Sequence, residues 1–172
     1  HFLEQFAELG DSSIKQIELE LLKEKVLCTD ATYTSTDGVR SYIRNLTSDH
    51  AVRYYAMDSK TIEAYRLIDI LNVYDGILVH DHETAMYHFG NGHAECNVHL
   101  LRYLRKNSEE TGNSWSTEMI DLLTDANTRR KELLQQEKFF SEEESDRIIE
   151  KFEELLAKGY QQNEKTQHKY VA

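Results

Sequence analysis

The stretch "KVLCTDATYTSTDGVRSYIRNLTSDHAVRYYAMDS", Lys25 to Ser59, constrains the fold more than any other part of the chain. It is rich in Val, Ile, Thr and Tyr, side chains that are stiff or flat and pack well on a pleated surface, and these alternate with other residues over much of its length. Two breaks interrupt the pattern. Asp37-Gly38 offers the positive φ angles of a two-residue hairpin turn, and Ser48-Asp49-His50 is a second cluster of turn formers. The stretch therefore predicts three strands joined by two short turns, an antiparallel meander.

The flanks are helical or apolar. Phe2 to Lys25 reads as a helix with Ile14, Ile17 and Leu21 on one face, behind possible caps at Ser12 and Ser13. After the meander, "KTIEAYRLIDILN" spaces Ile62, Tyr65 and Leu67 to Leu71 for one amphipathic helix, and "DGILVHD" supplies a short, almost continuously apolar strand. A strand entered through a helix is usually parallel to its neighbour and buried. A short helical piece around Thr84 to Phe89, a fifth strand at "GHAEC" and a helix through "NVHLLRYLRK" follow.

From Trp115 onward the pattern is purely helical. Met119, Leu122, Leu123 and Ala126 form one stripe. "SEEESDRIIEKFEELLAK" opens with a capping box, Ser141 with Glu144, ahead of the stripe Ile148, Phe152, Leu155 and Leu156. The two segments form an acidic helical hairpin, and the acids of "SEEESD" read as a solvated helix start that complements the helix dipole. The expected division is an N-terminal helical segment over 1–24, a core over 25–106 and a helical region over 107–172.

At 172 residues the chain can bury a sizeable core. Cys28 and Cys96 are far apart in sequence and fit no disulfide framework, which points to a reducing, cytoplasmic compartment. No apolar run approaches the roughly 20 residues of a membrane span, so no membrane partner is expected. A net charge of -11 argues against a nucleic-acid clamp acting alone, because phosphate contacts depend on Lys and Arg. Any nucleic-acid role must lean on other parts or on metal ions. The chain starts at His1 and contains no proline, so it reads as an excised piece.

The element order allows specific chemistry. If the first and fourth strands lie side by side and parallel, Asp30 at the end of "VLCTD" and Asp81 at the end of "ILVHD" project together at the carboxyl edge of the sheet. Two carboxylates there suit Mg²⁺ or Mn²⁺, the foundation of two-metal phosphodiester chemistry. Each aspartate could equally cap a turn at its strand end. Histidine is concentrated nearby: His80, His82, His88, His93 and His99 fall within 20 residues, together with Cys96. Only Cys96-x-x-His99 has a familiar ligand gap, no second paired knuckle exists, and His80 faces opposite to Asp81 on a strand, so a structural zinc is not expected.

"VLCTDAT", "GILVHDHETAMYHFG" and above all "HAECNVHLLRYL" resemble the catalytic domain of bacterial transposases of the insertion-sequence-sixty-six family, from about Ser13 to the end of the chain. The resemblance implies an α/β, ribonuclease-H-like mixed sheet with flanking helices and a C-terminal helical insertion. It also implies an Asp-Asp-Glu active site using Mg²⁺ or Mn²⁺, and DNA partners, namely mobile-element ends and target DNA. It further implies a homo-oligomeric full-length protein in the bacterial cytoplasm. Motif matching puts the first catalytic aspartate on Asp30 and the second on Asp81. The family usually reads Asp-Glu-Thr where this chain has Asp30-Ala31-Thr32, and the Asn-x-x-Ala-Glu-Arg-like motif of the third carboxylate does not occur in residues 1–172. The resemblance thus implies a third glutamate beyond Ala172 and a chain inactive on its own.

His82, Cys96, His99 and Arg102 remain candidates for structural or DNA-proximal roles. His82 adjoins Asp81; Arg102 and Arg105 could meet the DNA backbone, and Arg105 could equally pair with Glu109. Two alternatives stand beside the transposase reading. One is another ribonuclease-H-like nuclease; the other is a non-catalytic zinc- or helix-mediated interaction module.

Overall fold

The structure is a computed structural model and describes residues 2–163. The final nine residues of the expected helical insertion lie outside the described residues. The chain divides into two compact units between Cys96 and Asn97. The expected limit at 106/107 falls inside a helix, α4 (Asn97–Thr111).

The first unit contains α1 (Phe2–Leu21), β1 (Val26–Thr36), β2 (Val39–Thr47), β3 (Val52–Met57), α2 (Ile62–Tyr65), α3 (Asp69–Val73), β4 (Ile77–His80), a 3₁₀ turn (Thr84–His88) and β5 (Gly92–Glu95). The five strands form one mixed sheet in the order β3-β2-β1-β4-β5. The meander pairs antiparallel, whereas β1–β4 and β4–β5 are parallel. This α/β arrangement is consistent with the ribonuclease-H-like sheet that the resemblance implies.

Local chemistry explains both meander turns. Asp37 and Gly38 have φ of 52° and 77°, the two positive angles that a type I′ hairpin requires and that glycine adopts without steric cost. At the second turn the Ser48 hydroxyl accepts from the amides of His50 (3.2 Å) and Ala51 (3.1 Å), closing the loop with a side chain.

One face of the sheet is the core. Leu27, Leu46 and Leu78 from adjacent strands are fully buried against Leu21, Tyr65, Ile68, Ile70, Leu71, Met86 and Phe89. α1 is fixed to β3 on this face by Glu18, whose carboxylate accepts from Tyr55 Oη at 2.9 Å and Arg53 Nε at 3.3 Å.

Two expectations change. Ser12 and Ser13 do not start α1 but lie inside it, since the helix begins at Phe2; an interior serine costs a helix only a few tenths of a kcal/mol. "KTIEAYRLIDILN" forms two short helices instead of one. Ile68 is extended between them (φ -92°, ψ 97°). In a continuous helix Ile68 and Ile70 would stand about 200° apart, and the break lets both enter the core while Leu67 faces water.

The second unit is α4, α5 (Ser114–Gln135) and α6 (Glu142–Asn163), each packed on the next. The capping box closes as its pattern predicts: the Glu144 amide donates to Ser141 Oγ and the Ser141 amide to Glu144 Oε2, both at 3.2 Å. Met119 and Leu155 from the two predicted stripes are buried. Among the described residues no helix is long and apolar enough to cross a membrane.

Candidate metal centre

Strand register builds the centre. β1 and β4 pair Val26 with Ile77, Leu27 with Leu78 and Cys28 with Val79, so continuing the count sets Thr29 beside His80 and Asp30 beside Asp81. The alternation of a strand then separates two faces. Thr29 and His80 point into the core and are buried, while Asp30 is exposed on the other face and Asp81 is half-buried. Carboxylate oxygens of Asp30 and Asp81 lie within 4.8 Å of each other.

The surroundings of the two aspartates differ. One Asp30 oxygen accepts from the Ala31 amide at 2.8 Å, and the Asp30 amide donates to the Asn45 side chain across the β1–β2 pair at 2.9 Å. Asp81 Oδ1 is buried and accepts no hydrogen bond. An ionised carboxylate oxygen in that condition is costly unless a cation or proton satisfies it. Hard oxygen donors at this separation, one of them without a partner, fit a divalent cation such as Mg²⁺ or Mn²⁺.

The histidines divide among different tasks. His80 Nδ1 lies against the Asp81 carbonyl, and His80 Nε2 is 3.3 Å from His93 Nδ1. Burial, with the His80 ring second, holds His93 below the usual histidine range. His82 Nδ1 is 3.1 Å from Glu95 Oε1, on which Tyr87 also donates. Burial opposes ionisation of Glu95, yet the Tyr87 hydroxyl and the His82 ring keep its carboxyl below the ordinary range. Cys96 follows β5, and its amide donates to the His80 carbonyl at 2.8 Å. His99, Arg102 and Arg105 stand on α4, in the helical unit.

Sequence reasoning missed a buried polar network next to the aspartates. Arg44 on β2 has no exposed surface, and its guanidinium donates to Thr29 Oγ1 (2.8 Å), Tyr65 Oη (2.6 Å) and Glu83 Oε2 (2.6 Å), with Met86 Sδ at 3.4 Å. Tyr65 also donates to Glu83, and Lys60 Nζ lies 2.9 Å from the same carboxylate. Burial opposes the Glu83 charge, but the bonds from Tyr65 and Lys60 and the charge of Arg44 hold its carboxyl below the usual range. Burial, then the bond to Glu83, pushes the Tyr65 hydroxyl well above its ordinary value. A signal was present: Tyr42, Arg44 and Leu46 share one face of an alternating strand, and an arginine in an inward position demands a buried anion.

No curated protein matches the chain at significant similarity. The sequence profile described as "Transposase IS66 family" matches residues 2–171. That match spans both the sheet that brings the two aspartates together and the helices that follow, and it shows that the chain belongs to the IS66 family of transposases.

Proposed function

We propose that Asp30 and Asp81 are catalytic aspartates of a transposase core, holding Mg²⁺ or Mn²⁺ for phosphodiester hydrolysis and strand transfer at the ends of a mobile element. The observation that carries this reading is the pair of carboxylates within 4.8 Å, just past the point where the parallel pairing of β1 with β4 stops. The partnerless Asp81 oxygen supports it, because a cation supplies what no protein donor does. The chemistry such ions supply when bound is activation of an attacking oxygen and stabilisation of a departing one.

The chain's own residues orient the pair. Ala31 and Asn45 fix Asp30 within β1, and the turn from Asp81 to Glu83 aims the second carboxylate. The partner is DNA, drawn in by other parts of the enzyme, since net charge -11 repels phosphate. The Asn-x-x-Ala-Glu-Arg-like motif is absent from residues 1–172, so this chain alone holds an incomplete ligand set and gives little strand cleavage.

Mn²⁺ titration followed by water-proton relaxation tests the pair. Binding in roughly the millimolar range expected of an incomplete oxygen cage should disappear in Asp30→Ala and in Asp81→Ala. Unchanged binding in both variants would sink the assignment.

A further inference from the structure

We infer that Arg44 is a positioning residue for the Asp30–Asp81 pair, its guanidinium holding the turn after β4 against β1 through Glu83 and Thr29. The inference rests on the proposed metal role of the two aspartates and adds the device that sets their spacing.

The ladder between β1 and β4 ends at Cys28 and Val79, so no strand hydrogen bond fixes Asp81 beside Asp30. Arg44 bridges that gap. One arm of the fork, Nη1, reaches Thr29, the residue before Asp30; the other, Nη2, reaches Glu83, two residues after Asp81. Displacement of Glu83 is transmitted to Asp81 over a single tight turn, because the Glu83 amide donates to the Asp81 carbonyl. Tyr65 and Lys60 hold the same carboxylate from α2 and its approach, which leaves Glu83 little freedom.

Stability alone is a poor reason for such a pair. Apolar residues of similar volume usually fill a core as well as or better than a buried ion pair, whereas an arginine fork fixes direction. The position favours direction: the fork touches both chain segments that carry the aspartates. Groups that orient a metal-binding carboxylate commonly change affinity without touching the ion.

The test separates positioning from packing. The double variant Arg44→Met, Glu83→Met removes both charges together and should melt close to the wild-type temperature. Hydrogen exchange of the metal-free double variant should nonetheless quicken by about tenfold or more at amides 82–86, with β2–β3 amides unchanged, and Mn²⁺ affinity should fall by about tenfold. Wild-type exchange at those amides, together with wild-type Mn²⁺ affinity, would overturn the proposal. If the double variant does not fold, Arg44→Lys, which keeps the charge and loses the fork, is read by the same two criteria. A wild type that binds no Mn²⁺ would remove the metal role of the aspartates, and the exchange measurement would still decide whether Arg44 holds the turn.

Discussion

The sheet unit and the helical unit both carry opposed charges, and they use them in contrasting ways. In the sheet unit Arg44 and Glu83, 39 residues apart, form a pair whose side chains are 0% and 11% exposed. In the helical unit the pairs are surface contacts within one helix, such as Lys106–Glu110 and Lys151–Glu154, or between helices, such as Arg129–Glu144. Water screens the second kind, so each contributes little. The first kind adds little net stability when intact but costs several kcal/mol when one partner is lost, because the other is stranded without water. The difference is burial: the exposed pairs of the helical unit are forgiving, and the buried Arg44–Glu83 pair of the sheet unit is not.

The most forceful way to break this contrast is to remove one cation from each unit. Arg44→Met should destabilise the sheet unit by about 3 kcal/mol, the low end for a stranded charge because Lys60 stays 2.9 Å from Glu83. Arg129→Met should cost far less, because water screens its pairs. Denaturant unfolding with residue-level hydrogen exchange measures both, and equal losses would erase the distinction.

A smaller effect sharpens it from the helical side. Local propensity predicts that Gly159→Ala stabilises α6 by up to about 1 kcal/mol. A β-carbon there would sit 2.9 Å from Trp115 Cδ2 and 3.1 Å from Cε3, in the body of the ring. Overpacking of about 1–3 kcal/mol should win, giving net destabilisation near 1 kcal/mol and a shifted emission of Trp115, the chain's single tryptophan. Stabilisation would show that packing in this unit is as forgiving as its charges.

The smallest effect is acid lability of the helices. The hydrogen bond from Lys158 lowers the Glu118 carboxyl, and the Ser141 amide followed by Arg129 lowers that of Glu144, both from 4.5. A folded value below the unfolded one means that this stability is complete above about pH 4.5 and drains as pH falls through the folded value. Trp115-monitored unfolding should therefore show a modest loss between pH 5 and 3, reduced in Arg129→Gln. Both carboxylates stay open to water, which screens their pairs and keeps the effect small. An unaltered loss in that variant would mean that other carboxylates carry it.

Much of the fold was legible because its signals are local. Asp37-Gly38 dictates a type I′ turn wherever it sits between strands, Ser141 and Glu144 close their capping box within one turn, and the alternation of Val26 to Met57 sets which side chains share a face. Where local signals conflict they mislead. One apolar spacing over Ile62 to Leu71 suggested a single helix, and only the competing demand to bury both Ile68 and Ile70 broke it in two.

By itself the sequence determined the three meander strands, the parallel entry of β4, the helical end and an aspartate directly after β4; Asp30 ends only the apolar part of β1, which runs on to Thr36. Each follows from propensity and periodicity within a few residues. Only the tertiary structure decided that β4 runs beside β1 in the register that sets Asp81 next to Asp30. It alone joined Arg44 to Glu83. Register between strands whose paired residues lie 51 positions apart is fixed by which side chains fill a common core. A buried charge finds its partner through that same packing, and neither relation is written in the spacing along the chain.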